Sequence, residues 1–302
     1  MPLAYVPGPV SGQWHLGPIA VHGYAVCVVL GVLAVLWIAE SRYRAMGGRP
    51  WLIVDAATVA IPAGLLGARL FRLIVDYQWY FGPHHDWVSI FRIWDGGFGL
   101  PGGVTAGVAA IWVWCRRHAV GFGPVFVAAV PGLAFGQAIS LLGNWFSQDL
   151  YGPPTTMPWA VPVSPWNRAP GYQDFGTFQP LFLYEAIWDV LVGVALVYLI
   201  RWFSLTGDRA LGLSAGLYVI GRLGAASFVL LGPQQRSGVV VEQVLGFAVL
   251  VCAVAYLYLT RTKRGPEPLV ITGPQRPGHL RHVSVTIAQD ARPTVPTTPN
   301  QP

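Results

Sequence analysis

The stretch FGPVFVAAVPGLAFGQAISLLGNWFSQDLYG, residues 122–152, begins as an apolar run and ends in a polar knot. From Phe122 to Ser147 it carries no charged residue. At about 1.5 Å per helical residue that run is long enough to cross a hydrocarbon layer of about 30 Å. Asn144, Gln148 and Asp149 then follow, among the glycines Gly143 and Gly152. An amide and a carboxylate at the margin of a membrane span need either a partner or a task.

The rest of the chain fits the same setting. Of 302 residues, 54% are hydrophobic and only 11% charged, and the mean hydropathy is +0.50. A soluble chain would be about a quarter charged. Span-length apolar runs occupy residues 19–39, 51–75, 97–115, 122–146, 180–203, 210–231 and 239–260. The short alternating segments of a β-barrel are missing. The expected fold is therefore an all-α polytopic membrane protein with about seven transmembrane helices. Residues 1–262 form the membrane domain, and residues 263–302, rich in Pro, Thr and Gln, form a disordered tail.

Charge placement sets the expected orientation. Arg42, Arg44 and Arg49 follow the first run, Arg116 and Arg117 the third, Arg201 and Arg209 the fifth, and Arg261, Lys263 and Arg264 the seventh. The alternate connections hold fewer cations: Arg92, Arg168 and Arg236. Basic loops stay in the cytoplasm, so the N-terminus is expected outside and the C-terminus inside. The first 41 residues hold no Lys or Arg, unlike the basic start of a cleaved signal peptide. The formal charge of +6 thus reflects membrane orientation, not nucleic-acid binding. The three cysteines, Cys27, Cys115 and Cys252, lie in separate runs without metal-ligand spacing, so neither a disulfide framework nor a metal site is expected.

Charges inside a span cost about 2.5–3.5 kcal/mol each at mid-membrane, so each asks for an explanation. Arg69 and Arg72 lie one turn apart near the end of the second run, and Arg222 lies midway through the sixth. Tyr184 and Glu185 lie a turn inside the fifth; His22 and Tyr24 lie near the outer end of the first. Arg72 has the alternative of reaching back to the interface along its stem, and Tyr24 that of an aromatic belt residue. Arg222 is too deep for that. The glycines around Pro101, among them Gly102 and Gly103, have two readings: close helix packing through small residues, or bare backbone open to a lipid head group.

Six ordered motifs resemble one family. GPIAVHGYA (17–25), GARL (67–70), RIWDGGFGLPGGVTAG (92–107), LLGNWFSQDLYG (141–152), QPLFLYE (179–185) and YVIGRLGAAS (218–227) are similar to the successive signatures of the prolipoprotein diacylglyceryl transferases. That family works in the bacterial inner membrane. It moves the diacylglyceryl group of phosphatidylglycerol onto the thiol of a prolipoprotein's lipobox cysteine, and glycerol-1-phosphate leaves. The resemblance implies Arg222, Asn144 and Tyr24 as catalytic residues. It implies Arg69, Gly102, Gly103, Asp149, Gly152, Tyr184 and Glu185 as substrate-binding residues, with phosphatidylglycerol, other membrane lipid and prolipoproteins as partners and no cofactor. Arg69, Asn144, Glu185 and Arg222 are expected to meet at one cavity.

The resemblance also breaks at defined positions. Leu141 stands where the family signature has a phosphate-binding arginine, Pro101 where it has a histidine, and Ala226 where it has a glutamate. Gln179, Ser147 and Val229 replace a histidine, an asparagine and an arginine. With its neighbouring acid absent, Arg222 is expected to take Glu185 as counter-ion. Two functions follow as alternatives: the family's transferase, or an impaired relative that holds lipid or lipoprotein. A transporter built on duplicated halves is disfavoured, since no internal repeat is evident.

Overall fold

The computed structural model describes residues 8–9, 12–16, 19–75, 99–229, 233–261 and 269. Arg92, Gly96, Gly97 and all of the 263–302 tail except Leu269 lie outside the described residues. A hairpin of β1 (Gln13–Leu16) and β2 (Ile19–His22) leads into α1 (Gly23–Ala45). α2 (Leu52–Val75), α3 (Leu100–Arg117) and α4 (Phe122–Leu141) follow, and the single turn α5 (Asn144–Ser147) comes next. A loop with β3 (Val161–Pro162) and β4 (Thr177–Phe178) precedes α6 (Leu181–Phe203), α7 (Gly207–Ala226) and α8 (Pro233–Leu259).

Described helices therefore fall on all seven apolar runs, and no barrel forms among the described residues. Four are long and apolar enough to cross a membrane: Gly23–Ala45, Leu52–Val75, Phe122–Ser147 and Leu181–Phe203. The protein is thus a mainly helical, multi-pass membrane protein. One boundary differs from the sequence expectation. Residues 19–22 are strand, not span, because they pair with residues 13–16 and Gly23 N donates to Gly12 O at 2.9 Å. The period-2 pairing uses the backbone groups that a helix would need.

Small residues set how the helices pack. α1 and α4 cross antiparallel with their backbones in contact. A Cβ on Gly31 would lie 2.5 Å from Gly136 O, and one on Gly136 would lie 2.6 Å from Gly31 O. Ser140, one turn on, returns its hydroxyl to Gly136 O at 2.9 Å, so it adds no free polar group to the seam. α2 and α3 repeat the device. A Cβ on Gly102 would lie 2.3 Å from Gly67 O, and Gly103 approaches Ala68. α6 runs antiparallel along α4, with the Phe135 ring seated on Gly193. α7 closes the group by seating Trp188 of α6 on Gly221, and Trp188 Nε1 donates to Leu217 O at 3.0 Å.

At the end of the bundle where α1 stops, Ala39, Tyr43, Leu52, Cys115, Val125 and Ala128 form a buried cluster. Glu40 holds the turn into α2 by accepting from Trp51 N at 2.6 Å and Ile53 N at 3.2 Å. Leu269, from the stretch assigned to the tail, packs on this cluster and accepts a bond from Gly121 N at 2.9 Å. Arg42, Arg44, Arg116, Arg117, Arg201, Arg209 and Arg261 all lie in or beside turns at this same end.

The opposite end carries the 148–180 loop. Tyr151 is its anchor: its hydroxyl donates to Asn167 O at 2.6 Å and accepts from Ala169 N at 2.7 Å, while its ring packs on the fully buried Phe178. Burial pushes the Tyr151 hydroxyl above its usual pKa, against a smaller opposing effect from the Ala169 N–H, so it remains a donor at neutral pH.

Gly102→Ala is expected to destabilise the protein in detergent by about 1–3 kcal/mol, the range for overpacking a tight contact. Gly107→Ala, whose new Cβ would meet nothing nearer than 3.7 Å, should stay close to the native melting midpoint. Equal effects of the two substitutions would argue against the α2–α3 crossing.

Candidate functional site

The polar residues gather where α1 begins, α4 ends and α6 begins. α4 stops at Leu141, and Gly143 lets the chain turn against Tyr24. A Cβ on Gly143 would lie 3.0 Å from the Tyr24 ring and 3.1 Å from its Cα. Asn144 then caps α4 by donating its amide to Leu141 O at 2.9 Å, which satisfies one of the carbonyls a helix end leaves unpaired.

Beyond it the backbone turns left-handed twice, at Gln148 (φ 57°) and Leu150 (φ 55°), on either side of Asp149. Such conformations cost non-glycine residues about 1–3 kcal/mol and persist only where the surroundings hold them. Here Gln148 Oε1 accepts from Ser164 N at 2.7 Å and from Asn167 Nδ2 at 3.3 Å. Asp149 is thereby held at the wall of a small cavity with Asn144, Trp145, Gln148, Tyr151 and Phe182. Gly152 completes the turn through its N–H to Gln179 O at 2.9 Å, and Leu181 lies 3.1 Å from where its Cβ would be.

α6 brings the charges. Glu185 is buried and binds Arg222 of α7, Nη1 to Oε1, at 2.9 Å. The pairing expected from the missing acid at Ala226 is therefore present. The two partners are unequally covered: the Glu185 side chain is 9% exposed and that of Arg222 36%. Tyr184 accepts a bond from Trp159 Nε1 at 2.8 Å, which ties the 148–180 loop to α6.

The structure distributes the remaining residues differently. Arg69 is buried on α2, in the pair that α2 makes with α3, and Gly99 N donates to Ala68 O beside it at 2.9 Å. Gly102 and Gly103 serve that same crossing as packing residues. The Asn144 cavity contains neither Arg69, Glu185 nor Arg222. Arg72 lies in the last turn of α2.

Three substituted positions have local structural roles. Leu141 is buried against Ala138 and Ala186, next to Glu185 in sequence. Pro101 sits in the first turn of α3, where its missing N–H costs nothing. Ala226 ends α7.

Asp189 was not singled out from the sequence. It lies one helical turn past Glu185 on the same face of α6, is 5% exposed, and makes no hydrogen bond or ion pair with the described residues. The available signal was a second carboxylate four residues after the first inside an apolar run.

These features define a class: a helical membrane protein with a polar cavity at one end of the bundle and an arginine–carboxylate pair between helices α6 and α7, its carboxylate buried and its arginine part-exposed. The comparisons name the family. The chain matches the prolipoprotein diacylglyceryl transferase family over residues 12–259. It is 39% identical to a phosphatidylglycerol–prolipoprotein diacylglyceryl transferase of Streptomyces avermitilis over 293 residues, 96% of this chain and 85% of that one. It is 38% identical to transferase 1 of Streptomyces coelicolor over 276 residues, 90% and 79% of the two chains. It is 36% identical to the protein of that name from Mycobacteroides abscessus over 285 residues, 90% and 82%. The chain belongs to the prolipoprotein diacylglyceryl transferase family.

Glu185→Gln alone should lower stability, because it removes the carboxylate that Arg222 binds, and Arg222→Gln in the same chain should restore part of the loss. Contacting charges in such cycles couple by about 0.5–3 kcal/mol. Purely additive melting shifts would remove the pair from the account of stability.

Proposed function

We propose that this protein transfers the diacylglyceryl group of phosphatidylglycerol to the lipobox cysteine thiol of a prolipoprotein, as its relatives' names describe. In that reaction a C–S bond forms and the C–O bond to phosphate breaks. The thiol gives up its proton, and glycerol-1-phosphate leaves with the bonding electrons. The observation that carries the reading is the Arg222–Glu185 pair. Its carboxylate is sealed between helices while the guanidinium keeps 36% of its side chain exposed, so an anionic phosphodiester can reach the cation. Asn144, Asp149 and Tyr24 form the neighbouring polar wall, where the amide and hydroxyl orient the lipid. In this reading Arg69, Gly152 and Tyr184 supply the surrounding lipid contacts, and Gly102 and Gly103 serve them by holding α3 against α2.

The setting proposed with it is the bacterial inner membrane, with seven spans, the N-terminus outside, the C-terminus in the cytoplasm, and residues 263–302 as a tail. One end of the bundle gathers the arginines and the other the polar site, which supports that orientation.

A second reading has its own observation. Leu141 and Pro101 are absorbed into helix packing at the positions where the family resemblance places an arginine and a histidine. Losing a donor to developing charge costs about 10²–10³-fold in rate. Losing an acid–base group costs about 10²–10⁴-fold. On this reading the protein holds phosphatidylglycerol and turns it over weakly.

A membrane assay with phosphatidylglycerol and a lipobox peptide separates the two. Rapid thioether formation that Arg222→Ala abolishes supports the transferase. Lipid binding without turnover, with activity gained by combining Pro101→His and Leu141→Arg, supports the weakened relative. Absence of any phosphatidylglycerol binding would exclude both.

A further inference from the structure

The 148–180 loop does more than cover the site. Between it and residues 8–9 runs a groove of about 380 Å³, open to solvent, within the usual size range of ligand sites. Its near wall is Gly8 and Pro9, with Gly8 packed on the Pro162 ring; its far wall is Pro162, Val163, Ser164 and Pro165. Gln148, Pro162 and Val163 line both this groove and the small cavity at Asn144 and Asp149, so the two are adjacent.

We propose that this groove binds the extended stretch of the acceptor polypeptide that follows its lipobox cysteine. The inference rests on the transferase family reading for the identity of the acceptor, and on three local observations for the site. First, the groove lies beside the polar cavity, sharing Gln148, Pro162 and Val163 with it, so a chain whose cysteine is held at that cavity has this surface next to it. Second, Pro9, Pro162 and Pro165 give the walls ring faces without N–H groups, and the wall's own N–H groups at Val163 and Ser164 are already bonded to Gly176 O and Gln148 Oε1. Preformed surfaces of this kind suit an extended chain, which brings little ordering cost.

Third, Arg168 in the groove's lining is fixed by its own bonds to backbone, Nε to Val163 O at 2.9 Å and Nη1 to Gln173 O at 2.6 Å. No carboxylate among the described residues pairs with it. The groove therefore carries a stationary positive charge, which favours peptide carbonyls and neutral or acidic side chains and disfavours basic ones.

Gly176 offers a clean obstruction. Gly176 lines the groove, a Cβ there meets nothing within 4 Å, and its backbone is not left-handed, so a bulky side chain can be added at the groove's wall without a clash. The experiment uses the full chain in phosphatidylcholine nanodiscs and reads peptide binding by fluorescence anisotropy, so that turnover is not required. One fluorescent lipobox peptide ends at the cysteine. The other continues for about six residues, roughly 20 Å when extended.

The longer peptide should bind about tenfold tighter to the native chain, a gain of about 1.4 kcal/mol. Gly176→Trp should remove that advantage and leave the short peptide's affinity unchanged, while Gly176→Ala should behave as native. Equal binding of both peptides to the native chain, or an advantage that survives Gly176→Trp, would overturn the groove assignment and leave the family function standing. If anionic lipid vesicles displaced both peptides equally, the groove would belong to head groups and the proposal would be wrong. Binding of neither peptide would overturn the acceptor reading together with the groove.

Discussion

Where α1 crosses α4, glycine lies on glycine, and the rest of the bundle is arranged around that contact. Between Gly31 and Gly136 there is no room for a methyl group on either helix. In lipid, hydrocarbon gives little drive for helices to associate, so close backbone approach and the dispersion it allows do much of the work. α4 is the most enclosed helix because α1, α6 and α7 all pack on it, and its buried residues occur on every side. The near absence of an amphipathic pattern in α4 follows: its buried residues meet protein and the exposed Leu133 is apolar as well, as suits a span in lipid.

The same contact explains why the polar knot can exist. α4 ends against the start of α1, with Gly143 beside Tyr24, and Gly23 leaves just enough space for the Phe146 ring. Once the chain has left the helix there, its carbonyls and amides need partners, and the sequence places them within a few residues: Asn144 for the helix end, Gln148 for the loop, Gly152 for the return toward α6. The left-handed residues on both sides of Asp149 are held by these bonds, so the carboxylate's position is a consequence of how the span ends.

Hydropathy and family resemblance located the helices and the pairing of Glu185 with Arg222, because both rest on short-range rules: run length for the spans, and the cost of a lone buried charge for the pair. Other features were hidden for physical reasons. The strand at residues 19–22 is apolar enough to read as part of a span, and only its pairing with residues 13–16 distinguishes it. Whether Gly102 and Gly103 face lipid or a helix depends on which surface of α3 meets α2, and a single glycine-rich motif fits both. Arg69 could be located in its span but not assigned to a neighbour, since the α2–α3 pairing is a tertiary choice. Asp189 was legible in principle from its spacing, yet it stands in a run whose other residues give no reason to look for a second acid.

The charge arrangement limits how an anion can use Arg222. Glu185 is nearly sealed, so taking its counter-ion away would leave a carboxylate uncompensated at a helix interface, a far larger penalty than for an exposed pair. An anion that displaced Glu185 outright would have to supply that penalty from its own binding. A guanidinium, however, carries five donors in a planar fork, and Nη1 is the group on Glu185. Arg222 can remain bonded to the carboxylate while its exposed side shares charge with a phosphodiester, whereas a lysine, with a single point of charge, would be drawn to one partner or the other. The pair is thus better understood as a fixed mount for a cation at the end of the bundle that carries the 148–180 loop. It keeps the arginine folded into the helices while 36% of its side chain stays exposed.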